Sequence, residues 1–187
     1  MRIVGGNLRS KKLHDPVDKS TRPLKDLVRE SIFNILKHSK NESVNLNKSK
    51  VLDLFSGTGS FGIECLSRGA NKVVFFENYK KSFEILKKNI ENLNLVSKSE
   101  TFFENAYKLE KLKTYHNNFD LIFIDPPFKD VRINLLLSEI KKFKFCKNKT
   151  LIVIHRNKKI KENISNDFVI LKEKTYGLSK ILFGKIA

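Results

Sequence analysis

Lys50-Val51-Leu52-Asp53-Leu54-Phe55-Ser56-Gly57-Thr58-Gly59-Ser60-Phe61-Gly62 decides the fold. A short apolar run carries a carboxylate near its end, a glycine-rich turn follows, and a helix-compatible segment begins at residue 60. The glycines let the backbone turn tightly and let a ligand approach the first turn of that helix. Dinucleotide sites use the same spacing because a pyrophosphate sits on the helix N-terminus. Here Asp53 stands four residues before Gly57 and no Lys or Arg follows until Arg68. An anion in that place repels a pyrophosphate and suits a cation such as an amino-acid ammonium.

Outward from this loop, short apolar runs alternate with helical stretches. Strands are expected at 50–54, 72–76, 100–103, 119–124 and 150–155, and helices at 60–68, 79–92, 105–113 and 131–143. Two further strands, about 166–172 and 179–186, follow without a helix between them. Tyr176-Gly177 punctuates them, so they should pair antiparallel. Repeating strand–helix units mean a parallel sheet covered on both faces. The expected fold is α/β and Rossmann-like: seven strands, mostly parallel, closed by a C-terminal antiparallel hairpin. Before it, residues 2–13 read as a hairpin around Gly5-Gly6-Asn7, and 24–37 as an amphipathic helix. Residues 38–49 are almost wholly polar and read as a linker. The expected division is an N-terminal hairpin and helix over 1–49 and the sheet domain over 50–187.

Strand ends carry the chemistry of such a sheet. Glu77 closes the second strand, where a carboxylate accepts from both hydroxyls of a ribose. Asn105-Ala106 follows the third, at the same edge, where an adenine would lie. Asp53, Glu77 and Asn105 thus present an ammonium acceptor, a ribose acceptor and a base contact, a set that describes S-adenosylmethionine better than NAD. The plain alternative for the two carboxylates is helix N-capping.

The fourth strand, Phe119–Ile124, runs into Asp125-Pro126-Pro127-Phe128. Two prolines after a buried strand stop pairing and stiffen the backbone. An exocyclic amine on a nucleobase is a poor nucleophile, since its lone pair is delocalised into the ring. Asp125 and the Pro126 carbonyl, each accepting one N–H, would orient that nitrogen toward an electrophilic methyl. Phe128 would stack on an extruded or unpaired base. The alternative is an ordinary proline turn.

Composition bounds the rest. The chain has 187 residues with 37 Lys+Arg and 20 Asp+Glu, a net charge of +17. That length buries a core without disulfides, and Cys65 and Cys146 make no framework. No apolar run approaches the ~18 residues of a spanning helix, and the N-terminus has no signal-peptide core. A cytoplasmic protein is expected. The charge favours a polyanion partner, with compositional drift toward lysine as the alternative. Four of the seven arginines, Arg2, Arg9, Arg22 and Arg29, lie in the first 29 residues. With Lys11 and Lys12 they make the N-terminal segment the first candidate for an RNA- or DNA-facing surface, against the reading of a solvated arm. The four histidines have no ligand spacing with one another or with the cysteines, so no metal is expected.

Asp53 to Gly62 together with Asp125 to Phe128 resembles the class I S-adenosylmethionine-dependent amino-methyltransferases. Arg2-Ile3-Val4-Gly5-Gly6, Arg9, Lys12-Leu13, Arg22-Pro23, Val28-Arg29-Glu30, Phe33-Asn34-Ile35-Leu36 and Leu66-Ser67-Arg68-Gly69-Ala70 are similar in order and spacing to the bacterial 16S rRNA (guanine(966)-N2)-methyltransferase family. The resemblance covers nearly the whole chain. It implies cofactor contacts at Asp53, Gly57, Gly59, Glu77 and Asn105, with Arg22-Pro23 near the methionine end. It implies target-amine contacts at Asp125, Pro126 and Phe128 in the Asp125-Pro126-Pro127-Phe128 corner, and RNA contacts from Arg2, Arg9, Lys11, Lys12 and Arg29. The implied partner is 16S rRNA in the 30S subunit, and the implied state a monomer. Tyr79 and His155 depart from the pattern, since acidic residues are common at both places. DNA adenine-N6 methylation and a non-catalytic ribosome-assembly factor are the alternatives. The first lacks room for a target-reading domain, and the second leaves the tetrad without a purpose.

Overall fold

The computed structural model describes residues 1–16, 24–40, 42–115, 118–160 and 162–187. Seven strands form one sheet: β1 (Lys50–Leu54), β2 (Lys72–Glu77), β3 (Ser99–Phe103), β4 (Phe119–Ile124), β5 (Cys146–Asn157), β6 (Phe168–Tyr176) and β7 (Ser179–Ile186). Their spatial order is β3-β2-β1-β4-β5-β7-β6. The first five run parallel, and β7 pairs antiparallel with both β5 and β6. The strand order therefore reverses between β1 and β4, which opens a crevice outside their carboxyl ends.

Alternation along the central strands sorts the core into two halves. Val51, Val73, Phe75, Leu121 and Phe123 face one side, where α1 (Asp26–His38), α2 (Ser60–Ser67) and α3 (Lys80–Asn92) pack. Leu52, Leu54, Val74, Phe76, Ile122 and Ile124 face the other, against α4 (Ile133–Lys142) and the 3-10 turn Leu109–Tyr115. Helix α2 lies close to the sheet because residue 62 is glycine. A Cβ there would stand 2.3 Å from the Phe75 ring and 2.8 Å from Val73.

Three expectations change. The helix expected over 105–113 is a 3-10 turn over Leu109–Tyr115. Asn105 diverts its start: its side-chain oxygen accepts the Tyr107 N–H at 3.0 Å, which favours a turn over a helix. β5 begins at Cys146, four residues before the expected start, and β6 runs on to Tyr176. Of the polar run 38–49, the described residues 42–49 lie against the body and form no free tether. Val44 and Leu46 pack on the core, and the Val44 N–H donates to the Leu36 carbonyl at 2.8 Å. Buried Glu42 pairs with Lys172 of β6 at 2.6 Å.

The N-terminal hairpin closes through an Arg2–Lys12 bridge and packs Ile3 and Leu13 into the same core as α2. Its loop is tied to α2. The Val4 N–H donates to Glu64 Oε2 at 2.8 Å, and the Ser67 hydroxyl donates to the Gly5 carbonyl at 2.6 Å.

Candidate active site

The carboxyl ends of β1, β2 and β4 surround a cavity of about 280 Å³. Three carboxylates line it, Asp53, Glu77 and Asp125, one from the end of each strand. The net charge of the chain is +17, yet these three carboxyl groups share the cavity's lining with one lysine, Lys25, among the described residues. Asp53 is buried, and its Oδ2 accepts the Gly62 N–H of α2 at 2.9 Å. Burial pushes its pKa well above the usual carboxylate range, and the charges of Asp125 and Glu77 push the same way. Glu77 accepts the Gly57 N–H on Oε2 and the Tyr79 N–H on Oε1, each at 2.7 Å. Burial raises its pKa as well, against the pull of those amides.

The turn between β1 and α2 owes its shape to Ser56 and Gly59. The Ser56 hydroxyl donates to the Asp53 carbonyl at 2.6 Å and accepts the Phe76 N–H at 3.0 Å, sewing the turn to β2. Gly59 has φ +86°, and a Cβ there would stand 2.4 Å from Leu86. Any side chain at that place is strained. Gly57 lines the cavity and Gly59 does not; the second glycine shapes the turn.

Asp125, Pro126, Pro127 and Phe128 form the opposite wall. The Asp125 N–H donates to the Leu54 carbonyl at 3.3 Å, and the Asp130 N–H closes a turn on the Pro127 carbonyl at 2.8 Å. Beyond, Asp130 is held by Arg132 at 2.6 Å and by the Tyr107 hydroxyl at 2.9 Å. Asp125 Oδ1 lies 2.7 Å from His155 Nδ1, and His155 Nε2 lies 2.9 Å from the Ser179 hydroxyl.

One sequence-based assignment needs correction, that of Arg29, and Asn105 stands outside the cavity's lining. The Asn105 side-chain oxygen is engaged by its own turn. Arg29 does not face RNA: it is fully buried. Its guanidinium donates to the Arg2 carbonyl at 2.5 Å and to Asp26 at 2.9 Å, and lies 3.8 Å from Glu64. Arg2, Arg9, Lys11 and Lys12 are open to solvent. Arg22 and Pro23 lie outside the described residues. Several lining residues escaped the sequence reading: Ser56, Thr58 and Asn78 near the glycine turn, and His155, Tyr176 and Ser179 from β5 and the β6–β7 hairpin. His155 had a local signal, since it closes an apolar run at a strand end; Ser179 had none. Among the described residues no group of His, Cys, Asp and Glu has the arrangement of a metal site.

Residues 1–185 match the family described as Conserved hypothetical protein 95. The chain is 34% identical to Ribosomal RNA small subunit methyltransferase D of Haemophilus influenzae, over 95% of this chain and 90% of that protein. It is 32% identical to the protein of the same name from Buchnera aphidicola subsp. Acyrthosiphon pisum, over 92% and 86%. Among solved structures, HI0767 of Haemophilus influenzae aligns with a TM-score of 0.76 at 32% identity, over 100% of this chain and 98% of the other. The yhhF structure from Escherichia coli shares the fold, with a TM-score of 0.81 at 24% identity over 100% and 97%.

Proposed function

Because the chain belongs to the Conserved hypothetical protein 95 family, we propose that it transfers a methyl group from S-adenosylmethionine to the exocyclic N2 amine of a guanine in 16S rRNA. Guanine 966 of the assembling or assembled 30S subunit is the assigned target. One observation carries the reading: three strand-end carboxylates meet in one cavity, and the third begins the Asp125-Pro126-Pro127-Phe128 corner. The names of the relatives, ribosomal RNA small subunit methyltransferases, support the choice of nucleic acid.

The residues suit the cofactor. Its net charge is positive, and the cavity presents anions with no cation of the glycine turn beside them. When bound, S-adenosylmethionine supplies an electrophilic methyl group and departs as a neutral sulfide. Asp53 and Gly57 hold the amino-acid end, and Glu77 accepts from the ribose hydroxyls with the lone pairs its two amide contacts leave. Asp125 and the Pro126 carbonyl each accept one amine N–H, which aims the nitrogen lone pair into the cavity. The amine becomes strongly acidic as it is methylated, so Asp125 receives its proton without needing to be a strong base. The corner works chiefly by positioning. Phe128 offers the flat face on which a base stacks. Exposed Arg2, Arg9, Lys11 and Lys12 bring phosphate-binding charge to the same molecule.

Labelled S-adenosylmethionine, offered with unmodified 30S particles, naked 16S rRNA and DNA, tests the reading. Label in 16S rRNA, recovered as N2-methylguanosine by nucleoside mass spectrometry, is expected. Label confined to DNA overturns it, and cofactor binding without transfer to any of the three turns the protein into an assembly factor.

A further inference from the structure

We propose that His155 is the positioning residue for Asp125: it holds one carboxylate oxygen in place and leaves the other facing the acceptor amine. The inference rests on the amine-methylation reading above. A carboxylate oxygen can only accept, so the hydrogen in the 2.7 Å contact belongs to His155 Nδ1. In the neutral ring Nε2 is then an acceptor, and the Ser179 hydroxyl at 2.9 Å is its donor. Hydrogen bonds therefore run in one direction, from Ser179 through the ring to Asp125.

Both supports of this chain stand on the sheet. His155 belongs to β5 and Ser179 to β7, and these strands pair in register, with His155 opposite Ile181 and Asn157 opposite Ser179. The imidazole is 7% exposed and the Asp125 side chain 20%, so the ring is fixed while the carboxylate reaches into the cavity. Asp125 needs such a hold. Its backbone is stiffened by the prolines that follow, but nothing in that backbone fixes the rotation of the carboxylate. Among the described residues no hydrogen bond is made to Asp125 Oδ2, the oxygen the amine requires. The Phe128 ring meets the same imidazole edge-on, at 5.7 Å and 76°. The base-stacking face and the amine acceptor therefore lean on one side chain.

Two measurements test this. Ring-nitrogen NMR of His155 in the intact, cofactor-free protein reads the geometry without substrate. The Nδ1-protonated tautomer is expected, and its signals should move in Asp125→Ala. An Nε2-protonated ring, or signals indifferent to Asp125→Ala, overturns the proposal. The second measurement separates transfer from binding, using S-adenosylmethionine and 16S rRNA transcribed in vitro, free and reconstituted into 30S particles. His155→Leu should lower the transfer rate at saturating cofactor by roughly 10², the scale of a misplaced reacting group, with the cofactor Kd unchanged. His155→Asn keeps a donor close to the Nδ1 position and should recover most of the rate. Undiminished transfer in His155→Leu, or equal failure of both variants with intact folding, overturns the proposal. A wild-type protein that methylates no RNA yet shows the expected tautomer removes the RNA reading and leaves the Asp125–His155 contact standing.

Discussion

Burial disfavours the ionised form of Asp53, and the sign of that effect is testable. Its folded-state pKa is raised, so the folded chain binds the proton more tightly than the unfolded one. Stability of the ligand-free protein should fall as pH rises from the ordinary carboxylate range through the raised value, and above it the ionised group is a standing cost. Glu77 acts in the same direction. A bound cation offsets that cost, so the rise in Tm on adding S-adenosylmethionine should be larger at higher pH. Asp53→Asn keeps an acceptor for the Gly62 N–H and should raise the ligand-free Tm by a few degrees, about 2–4 °C per kcal/mol for a chain this long. It should also abolish measurable cofactor binding. Calorimetry on both forms checks the pair of outcomes, and a lower Tm with retained binding contradicts the electrostatic account. Asp53, Glu77 and Asp125 were legible because each stands at or near the end of an apolar run. The His155–Ser179 contact was not, since it joins residues from two strands whose register no local pattern reveals. Arg29 was legible and misjudged: Ile32, Phe33 and Leu36 follow it at three, four and seven residues, which puts it on the buried stripe of α1.

At the scale of elements, most of the sheet could be read because β1 and β4 are apolar runs buried on both faces. What misled were segments where a few side chains outvote composition. Val44 and Leu46 dock a polar run, and Asn105 turns a helical pattern into a tight turn. The contact between α2 and the sheet gives a prediction against helix propensity. Gly62→Ala should favour an isolated helix by about 1 kcal/mol. In the protein its methyl meets Phe75 and Val73 at distances no real Cβ occupies, and overpacking of this kind costs about 1–3 kcal/mol. The net effect expected is a lower urea midpoint with an unchanged m-value. A stabilised variant would mean that α2 is free to lift from β2.

For the molecule as a whole, a net charge of +17 surrounds a cavity where three carboxyl groups meet one lysine among the described residues. Binding to 16S rRNA should weaken steeply with salt, with log K falling by about 0.7 per phosphate contact on single-stranded segments. Replacing Arg9, Lys11 and Lys12 by alanine should reduce that slope by about 2 if the hairpin faces RNA. Arg29→Met should leave the slope as it is, because a buried guanidinium releases no counterions. Filter-binding titrations across salt concentrations distinguish the two, and a triple variant with the wild-type slope removes the hairpin from the RNA surface. The hairpin also fixes a timetable. Val4 waits for Glu64, sixty residues later, and the backbone N–H of His14 waits for Asn89, seventy-five later. The hairpin is therefore made well before the residues that hold it, and a nascent chain stalled before α2 carries it without either partner.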